Sequence, residues 1–327
     1  MIILSENHLR SILQMKDVID AVEAGFRALA DRKAVAPERL HLPLPEQSAV
    51  VLLMPASIGS AETGNGVGAK IVSVFEKNSE RGLDIIQGIY ILLDGDTGAP
   101  LAVMDGKFIT AIRTAATSAV ATRFMMTPGR KKLAVMGAGV QAEFHIEAML
   151  AVAQIDHIAI ASRSQEKAEQ LAERTKSGFG VECEVGSVEK AVYESDLICA
   201  CTSSAIPLFD GLLIRPGTHI NAVGAFTPQT RELDTITVAR SRVIIDEQSA
   251  AGREAGEILI PVSERAVKLD HIKGTLADVV TGLVAGRTAM DEITLFKSCG
   301  LAVEDLVTAQ LAFRRASELN LGVDVAM

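Results

Sequence analysis

Leu133-Ala134-Val135-Met136-Gly137-Ala138-Gly139-Val140-Gln141-Ala142 is an apolar run that passes straight into a GxGxxA turn, with a helix predicted to open inside the turn and reach Val152. The first glycine permits the tight turn, and the second lets the backbone approach a pyrophosphate. The small third position allows close packing of helix on strand, with helix N–H groups facing the anion. An ordinary βα turn can carry the same letters, so context has to separate the two readings. Here the rhythm repeats: a strand over 158–161, a helix to Lys176, then strands near Val181, Leu197, Ile220 and Val243. Alternating strands and helices of this kind predict a doubly wound, Rossmann-type parallel sheet and an α/β fold class.

The strand after the glycine turn ends in Ala161-Ser162-Arg163-Ser164. A site specific for NAD(H) usually carries an acid there for the ribose 2′-hydroxyl. With the acid missing, Arg163 can grip a 2′-phosphate bidentately and Ser162 and Ser164 can donate to it, which points to NADP(H), with NAD(H) as the alternative. Arg163 as a plain solvated loop charge is the other reading.

Upstream of residue 126 the pattern differs. Val18, Ile19, Val22, Phe26 and Leu29 form one stripe of an amphipathic helix over 15–33. Strands are predicted over 49–54, 67–74, 88–93 and 101–104, with a hairpin loop at 94–98, as in an antiparallel sheet. A helix rich in small residues follows over 109–124 and stops at Thr127-Pro128-Gly129. A periodic helix over 303–319 closes the chain. The expected organisation is an α+β domain of residues 1–125 completed by 301–327, and a Rossmann domain of 126–300.

The chain has 327 residues, 48% of them hydrophobic and 22% charged, which is globular composition and excludes low-complexity and collagen-like readings. Its formal charge of -9, with no Trp and two Tyr, argues against nucleic acid as a partner. Apolar stretches such as 85–93 are far shorter than a membrane span needs, and the first residues lack a basic region followed by a long apolar core, so a cytoplasmic location is expected. Cys183, Cys199, Cys201 and Cys299 contain no CxxC pair and are expected to be buried thiols; the scattered histidines suggest no metal.

Three cations stand out. Arg113 has no acidic residue between Phe108 and Thr122, so either a carboxylate ligand or a carboxylate from elsewhere in the fold must balance it. Lys70 shares a strand face with Val72 and Val74, and either snorkels to the sheet edge or sits in a pocket suited to proton transfer. Arg39 can pair locally with Glu38 or Glu46.

Gly68-Ala69-Lys70, the stretch from Thr110 to Ala116, the Gly137 turn, Arg231-Glu232-Leu233-Asp234 and the string from Phe296 to Asp305 together resemble the ornithine cyclodeaminase/μ-crystallin family, in order and over nearly the whole chain. The resemblance implies a homodimer in which the first domain supplies the dimer interface and the substrate pocket. It implies that Arg39, Lys70 and Arg113 meet the substrate carboxylate and its amine or imine region. Thr114, Gly137, Gly139, Val140 and Gln141 would then hold cofactor phosphates, with Thr202, Val223 and Ser298 near the ribose and nicotinamide.

Activities of the family include ornithine cyclisation with ammonia loss, alanine dehydrogenation and cyclic ketimine reduction, all of which move hydride at an amino-acid α-carbon. Members that deaminate typically place Asp two residues after the glycine equivalent to Gly224, where this sequence has Phe226. An aromatic ring cannot accept a proton from an amine or water, but it can wall a small ring substrate; misalignment in a loop is the alternative. An imine carbon is already electrophilic and needs less help. The expected activity is NAD(P)H-dependent reduction of Δ1-pyrroline-2-carboxylate or Δ1-piperideine-2-carboxylate to proline or pipecolate, with Lys70 as the acid. Ornithine cyclodeaminase or alanine dehydrogenase activity, or nicotinamide-gated binding of a small carboxylate with little turnover, are the alternatives.

Overall fold

A computed structural model describes residues 1–60 and 62–326, which pack into two compact units: Met1–Thr117 with Leu301–Met327, and Ser118–Gly300. In the first, β1 (Ile2–Leu4), α1 (Glu6–Ile12) and α2 (Met15–Ala30) precede β2 (Ala34–Val35), β3 (Leu40–Leu44), β4 (Ala49–Ser60), β5 (Gly64–Phe75), β6 (Ile86–Asp94) and β7 (Pro100–Asp105). The sheet runs β16-β1-β7-β6-β5-β4-β2, with β3 also on β4 and β16 contributed by the chain's last residues. Its central pairs are antiparallel as the alternation predicts, whereas β1 joins β7 in parallel.

Register decides what each face carries. Met54, Lys70, Tyr90 and Met104 lie directly opposite one another across β4 to β7, and all four are buried. One residue along, Leu40, Leu53, Ile71 and Ile89 form a row across β3 to β6 on the opposite face, each at least 36% exposed. Because the side-chain period of a strand is two, a slip of one residue would exchange these rows. Helix α3 (Gly106–Met125) then leads out of the sheet.

The division between the two units falls within α3, between Thr117 and Ser118. The reason is a buried polar chain. The Ser118 hydroxyl meets His145 Nε2 at 2.9 Å, and Asn221 Nδ2 donates to the Thr122 hydroxyl at 3.0 Å. Burial pulls the His145 imidazole down to about 4, so it stays neutral, and its Nδ1 meets the Gln141 carbonyl. Buried polar groups must be paired, and these side chains commit the end of α3 to the second unit.

That unit comprises β8 (Lys131–Met136), α4 (Val140–Val152), β9 (Ile155–Ala161), α5 (Gln165–Phe179), β10 (Glu182–Val185), α6 (Val188–Glu194), β11 (Leu197–Ala200), β12 (His219–Ala222), α7 (Thr235–Arg240), β13 (Ser241–Ile245), α8 (Gln248–Glu254), α9 (Gly256–Ser263), β14 (Ile272–Thr275), α10 (Leu276–Val280) and β15 (Ile293–Lys297). Its sheet is parallel throughout, in the order β10-β9-β8-β11-β12-β15-β13-β14. β11, β12 and β15 are buried along their whole length, as parallel strands covered on both faces must be. β15 slots between β12 and β13, a crossing that neighbouring-strand logic does not reveal.

The chain ends by returning to the first unit as α11 (Ala302–Leu319), followed by β16 (Val323–Asp324). Every residue of α11 from Ala302 to Ala312 is buried, and the helix packs on α2 and on β4, β5 and β6. Val18, Ile19, Val22 and Phe26 of α2 are sealed from solvent, each burial worth about 1.5–3 kcal/mol. The stripe's last predicted member, Leu29, is only half-buried. Among the thiols, Cys199 is buried as expected, but Cys183, Cys201 and Cys299 are partly exposed.

Candidate functional site

The second unit contains a cleft at the carboxyl ends of β8 and β11, where the strand order reverses and α/β sheets bind their ligands. Gly137 has φ +109°, and a Cβ there would stand 2.7 Å from the Cys201 carbonyl, so only glycine lets the turn hug the end of β11. The cleft, about 360 Å³, is lined by Gly137, Gly139, Ser162, Arg163, Lys167 and Thr202, among others. Helix α4 opens on it at Val140 with Gly139 as a cap that has no side chain, leaving first-turn N–H groups for an anion. The Gln141 side-chain oxygen is buried without a partner, an acceptor awaiting a donor. These features fit a dinucleotide.

Arg163 is exposed at the cleft and makes no ion pair among the described residues; Lys167, which sequence reasoning passed over, stands beside it on the same wall. Ser162 and Ser164 line the same cleft. The Ser164 oxygen caps α5 by accepting from the Lys167 N–H at 3.4 Å, which leaves its hydroxyl proton free to donate. Val140 is exposed, and Val223 is partly exposed just past β12. Phe226 follows in the same loop, 37% exposed. Ser298 is turned inward: it is 2% exposed and its hydroxyl donates to Asp246 at 2.9 Å.

In the first unit, Lys70 and Arg113 are fully buried and meet two carboxylates from the opening turn of α11. Lys70 Nζ donates to Asp305 Oδ1 at 3.0 Å and lies 2.9 Å from Oδ2 in ionic contact without a second well-aimed hydrogen bond. Arg113 donates through Nε to Asp305 at 2.9 Å and through Nη1 to Glu304 at 2.7 Å. The choice left open for Arg113 is thereby settled in favour of acids from elsewhere in the fold. Lys70 does not snorkel; it stands mid-sheet beside Tyr90, whose buried hydroxyl has no partner and whose pKa is raised well above its ordinary value by burial and by Asp305. Thr114 spends its hydroxyl on the Thr110 carbonyl one turn back, and Arg39 stands half-buried just before β3.

The signal for the two acids was present: Glu304-Asp305 interrupts an otherwise apolar stretch from Leu301 to Val307. A helix N-terminus favours negative charge, so this turn is where carboxylates are best tolerated in a buried helix. Burial pulls the Lys70 ammonium down to about 8, with Arg113 pushing the same way and Asp305 and Glu304 opposing. Arg113 suffers the same burial but touches both acids, which hold its pKa above the ordinary value.

A sign follows for stability. Below pH 8 Lys70 is charged in folded and unfolded chain alike, and the cost of burying that charge is fully present. Between about 8 and the ordinary 10.5 only the unfolded chain binds the proton, so stability rises with pH. Urea unfolding at pH 8 and pH 10 is expected to show the native chain gaining about 2 kcal/mol relative to Lys70→Met. Parallel pH dependences would refute a depressed lysine.

The ornithine cyclodeaminase/mu-crystallin family model matches residues 1–320. Δ1-pyrroline-2-carboxylate reductase of Bacillus cereus is 34% identical over 324 residues, covering 98% of each chain. Ketimine reductase mu-crystallin of Rattus norvegicus is 35% identical over 308 residues, 94% of each. The structure of Thermococcus litoralis Δ1-pyrroline-2-carboxylate reductase, in complex with NADH and L-proline, superposes with a TM-score of 0.96 at 36% identity, covering 99% of this chain and 100% of that one. With its order of motifs, its cleft and its fold matched from end to end, the chain belongs to the ornithine cyclodeaminase/mu-crystallin family.

Proposed function

We propose that this chain is an NAD(P)H-dependent oxidoreductase that reduces a cyclic imine, Δ1-pyrroline-2-carboxylate or its six-membered homologue, to proline or pipecolate. The observation that carries this reading is the loop after β12. It presents Phe226 where deaminating relatives are expected to hold a carboxylate, and the nearest acid, Glu232, is wholly buried and bonded to Thr202 and Gly224. Asp234, the other acid of that loop, is occupied in capping α7 and accepting from the Gly211 N–H, so neither carboxylate is presented to orient water or strip an amine. The reductases that match along the whole chain support the same choice.

A bound reduced nicotinamide would supply the hydride, with the Gly137 turn, Val140, Gln141 and Thr202 holding the cofactor. Thr114, Val223 and Ser298 join that set by resemblance alone. Arg113, with Arg39, grips the substrate carboxylate, and Lys70 holds the proton that the nitrogen takes up once hydride has turned the iminium into an amine; an ammonium brought down to about 8 can release it near neutral pH. The charge balance restricts the substrate further. Lys70 and Arg113 already offset Glu304 and Asp305, so a bare carboxylate would add an uncompensated buried charge. An N-protonated imine carboxylate is neutral overall, and its carbon is the more electrophilic form.

For the cofactor, Arg163 and Lys167 beside the end of β9, with no acid there, support NADP(H) over NAD(H). For assembly, the exposed apolar row Leu40, Leu53, Ile71 and Ile89 supports a homodimer built on this sheet face, since apolar patches of this kind mark interaction surfaces.

Purified protein is expected to oxidise NADPH when offered Δ1-pyrroline-2-carboxylate or Δ1-piperideine-2-carboxylate, and Lys70→Ala to lower kcat by about 100-fold or more with NADPH affinity intact. Ammonia released from ornithine or alanine, without imine-dependent NADPH loss, would reverse the assignment; tight NADPH binding with no turnover would favour a binding protein. Arg163→Ala should weaken NADPH about tenfold or more and leave NADH unchanged, read by fluorescence titration; equal loss for both would refute the 2′-phosphate role. Sedimentation should find the native chain dimeric and an Ile71→Arg, Ile89→Arg double variant monomeric, and an unchanged dimer would place the interface elsewhere.

A further inference from the structure

Glu232 is wholly buried and makes no ion pair among the described residues, yet it bonds directly to Thr202, which lines the cofactor cleft. Its Oε1 accepts from the Thr202 N–H at 2.6 Å and the Thr202 hydroxyl at 2.8 Å, and its Oε2 accepts from the Gly224 N–H at 2.7 Å. One carboxylate thus ties the loop leaving β11 to the loop leaving β12. The two loops touch so closely that a Cβ on Gly224 would lie 1.9 Å from the Thr202 carbonyl and 2.6 Å from Glu232 Oε1. The backbone of Glu232 is itself fixed, donating to Glu257 Oε1 at 2.9 Å and accepting from the Leu208 N–H at 2.8 Å. Glu257 is in turn paired with Lys297 of β15 at 3.0 Å, and Lys297 also donates to the Ala225 carbonyl.

We propose that Glu232 is a positioning residue that, when ionised, staples the β11 and β12 loops into the shape that binds the nicotinamide cofactor, and that its protonation loosens this lip and weakens cofactor binding. The inference rests on the nicotinamide reading of the cleft and is independent of which imine is reduced. In its ionised form the carboxylate accepts from three donors; adding a proton places a fourth donor among them and removes the charge that strengthens all three bonds.

The groups facing Glu232 are Lys297 from β15, Glu257 from α9, and Thr202 and the Cys201 thiol from the end of β11. Burial raises its pKa to about 7; Lys297 opposes this, Glu257 adds to it, and the Thr202 bonds oppose it. Cys201 is pushed well above its ordinary value by burial and remains a neutral thiol across the relevant range. The lip therefore loosens as pH falls through neutrality, and cofactor binding expels the proton.

The test is NADH affinity of the full chain, by fluorescence titration from pH 5.5 to 9 without substrate. NADH is the probe because the 2′-phosphate of NADPH titrates in the same window. The wild type is expected to lose affinity by about tenfold between pH 8 and pH 6, whereas Glu232→Gln binds at every pH as weakly as the wild type does at pH 6. Thr202→Val removes one donor from the ionised carboxylate and should move the wild-type midpoint to higher pH, which keeps the proposal testable if the Gln variant does not fold. A pH profile shared by wild type and Glu232→Gln, or a midpoint unmoved in Thr202→Val, overturns the role of Glu232 while leaving the cofactor reading intact. Failure of the wild type to bind either NADH or NADPH at any pH overturns both.

Discussion

Two cations and two carboxylates, Lys70, Arg113, Glu304 and Asp305, are buried together, and the architecture of the first unit depends on their meeting. Neither cation can be left in that interior alone, because an unpaired buried charge costs several kcal/mol. Glu304 and Asp305 lie 191 and 192 residues beyond Arg113 along the chain, so the last helix must come back to dock on this sheet. Helix α11 is accordingly buried along more than half its length. Its opening turn is also the one place in a buried helix where two adjacent carboxylates are favoured by the backbone dipole.

The second unit solves a different problem by the same economy of groups. Its parallel sheet is apolar and covered on both faces, so polar side chains are concentrated at the strand ends. There the Gly137 turn, the end of β9 and Thr202 form the cleft. Glu232 ties Thr202 to Gly224 while wholly buried itself, whereas Phe226, four residues beyond Ala222, is exposed. An acid that is hidden and an aromatic ring that is shown, in one loop, distinguish hydride delivery to an imine from chemistry that needs a free base.

Charge neutrality links the two halves of the functional argument. The cluster around Lys70 is already balanced, which removes the simplest reason for an anion to enter it. Under the proposed reading it favours a ligand that brings both signs of charge, as an iminium carboxylate does. The depressed pKa of Lys70 comes from the same burial that demands the acids.

The strands around Gly137, the small-residue helix ending near Thr127, the stripe on α2 and the returning helix were legible in the sequence, because each is written in local periodicity and glycine placement. The absence of an acid after Ala161 and the presence of Phe226 were equally plain. Three things were decided only by the tertiary structure. Arg113 shows no partner within its own helix, but salt bridges close over any sequence distance, so Glu304 and Asp305 could supply one. The insertion of β15 between β12 and β13 depends on which edge the chain returns to, which no strand pattern encodes. Nothing local in Arg231-Glu232-Leu233-Asp234 marks Glu232 as buried, and it becomes a staple only because two strand ends converge on it, their N–H groups left unpaired until a carboxylate arrives.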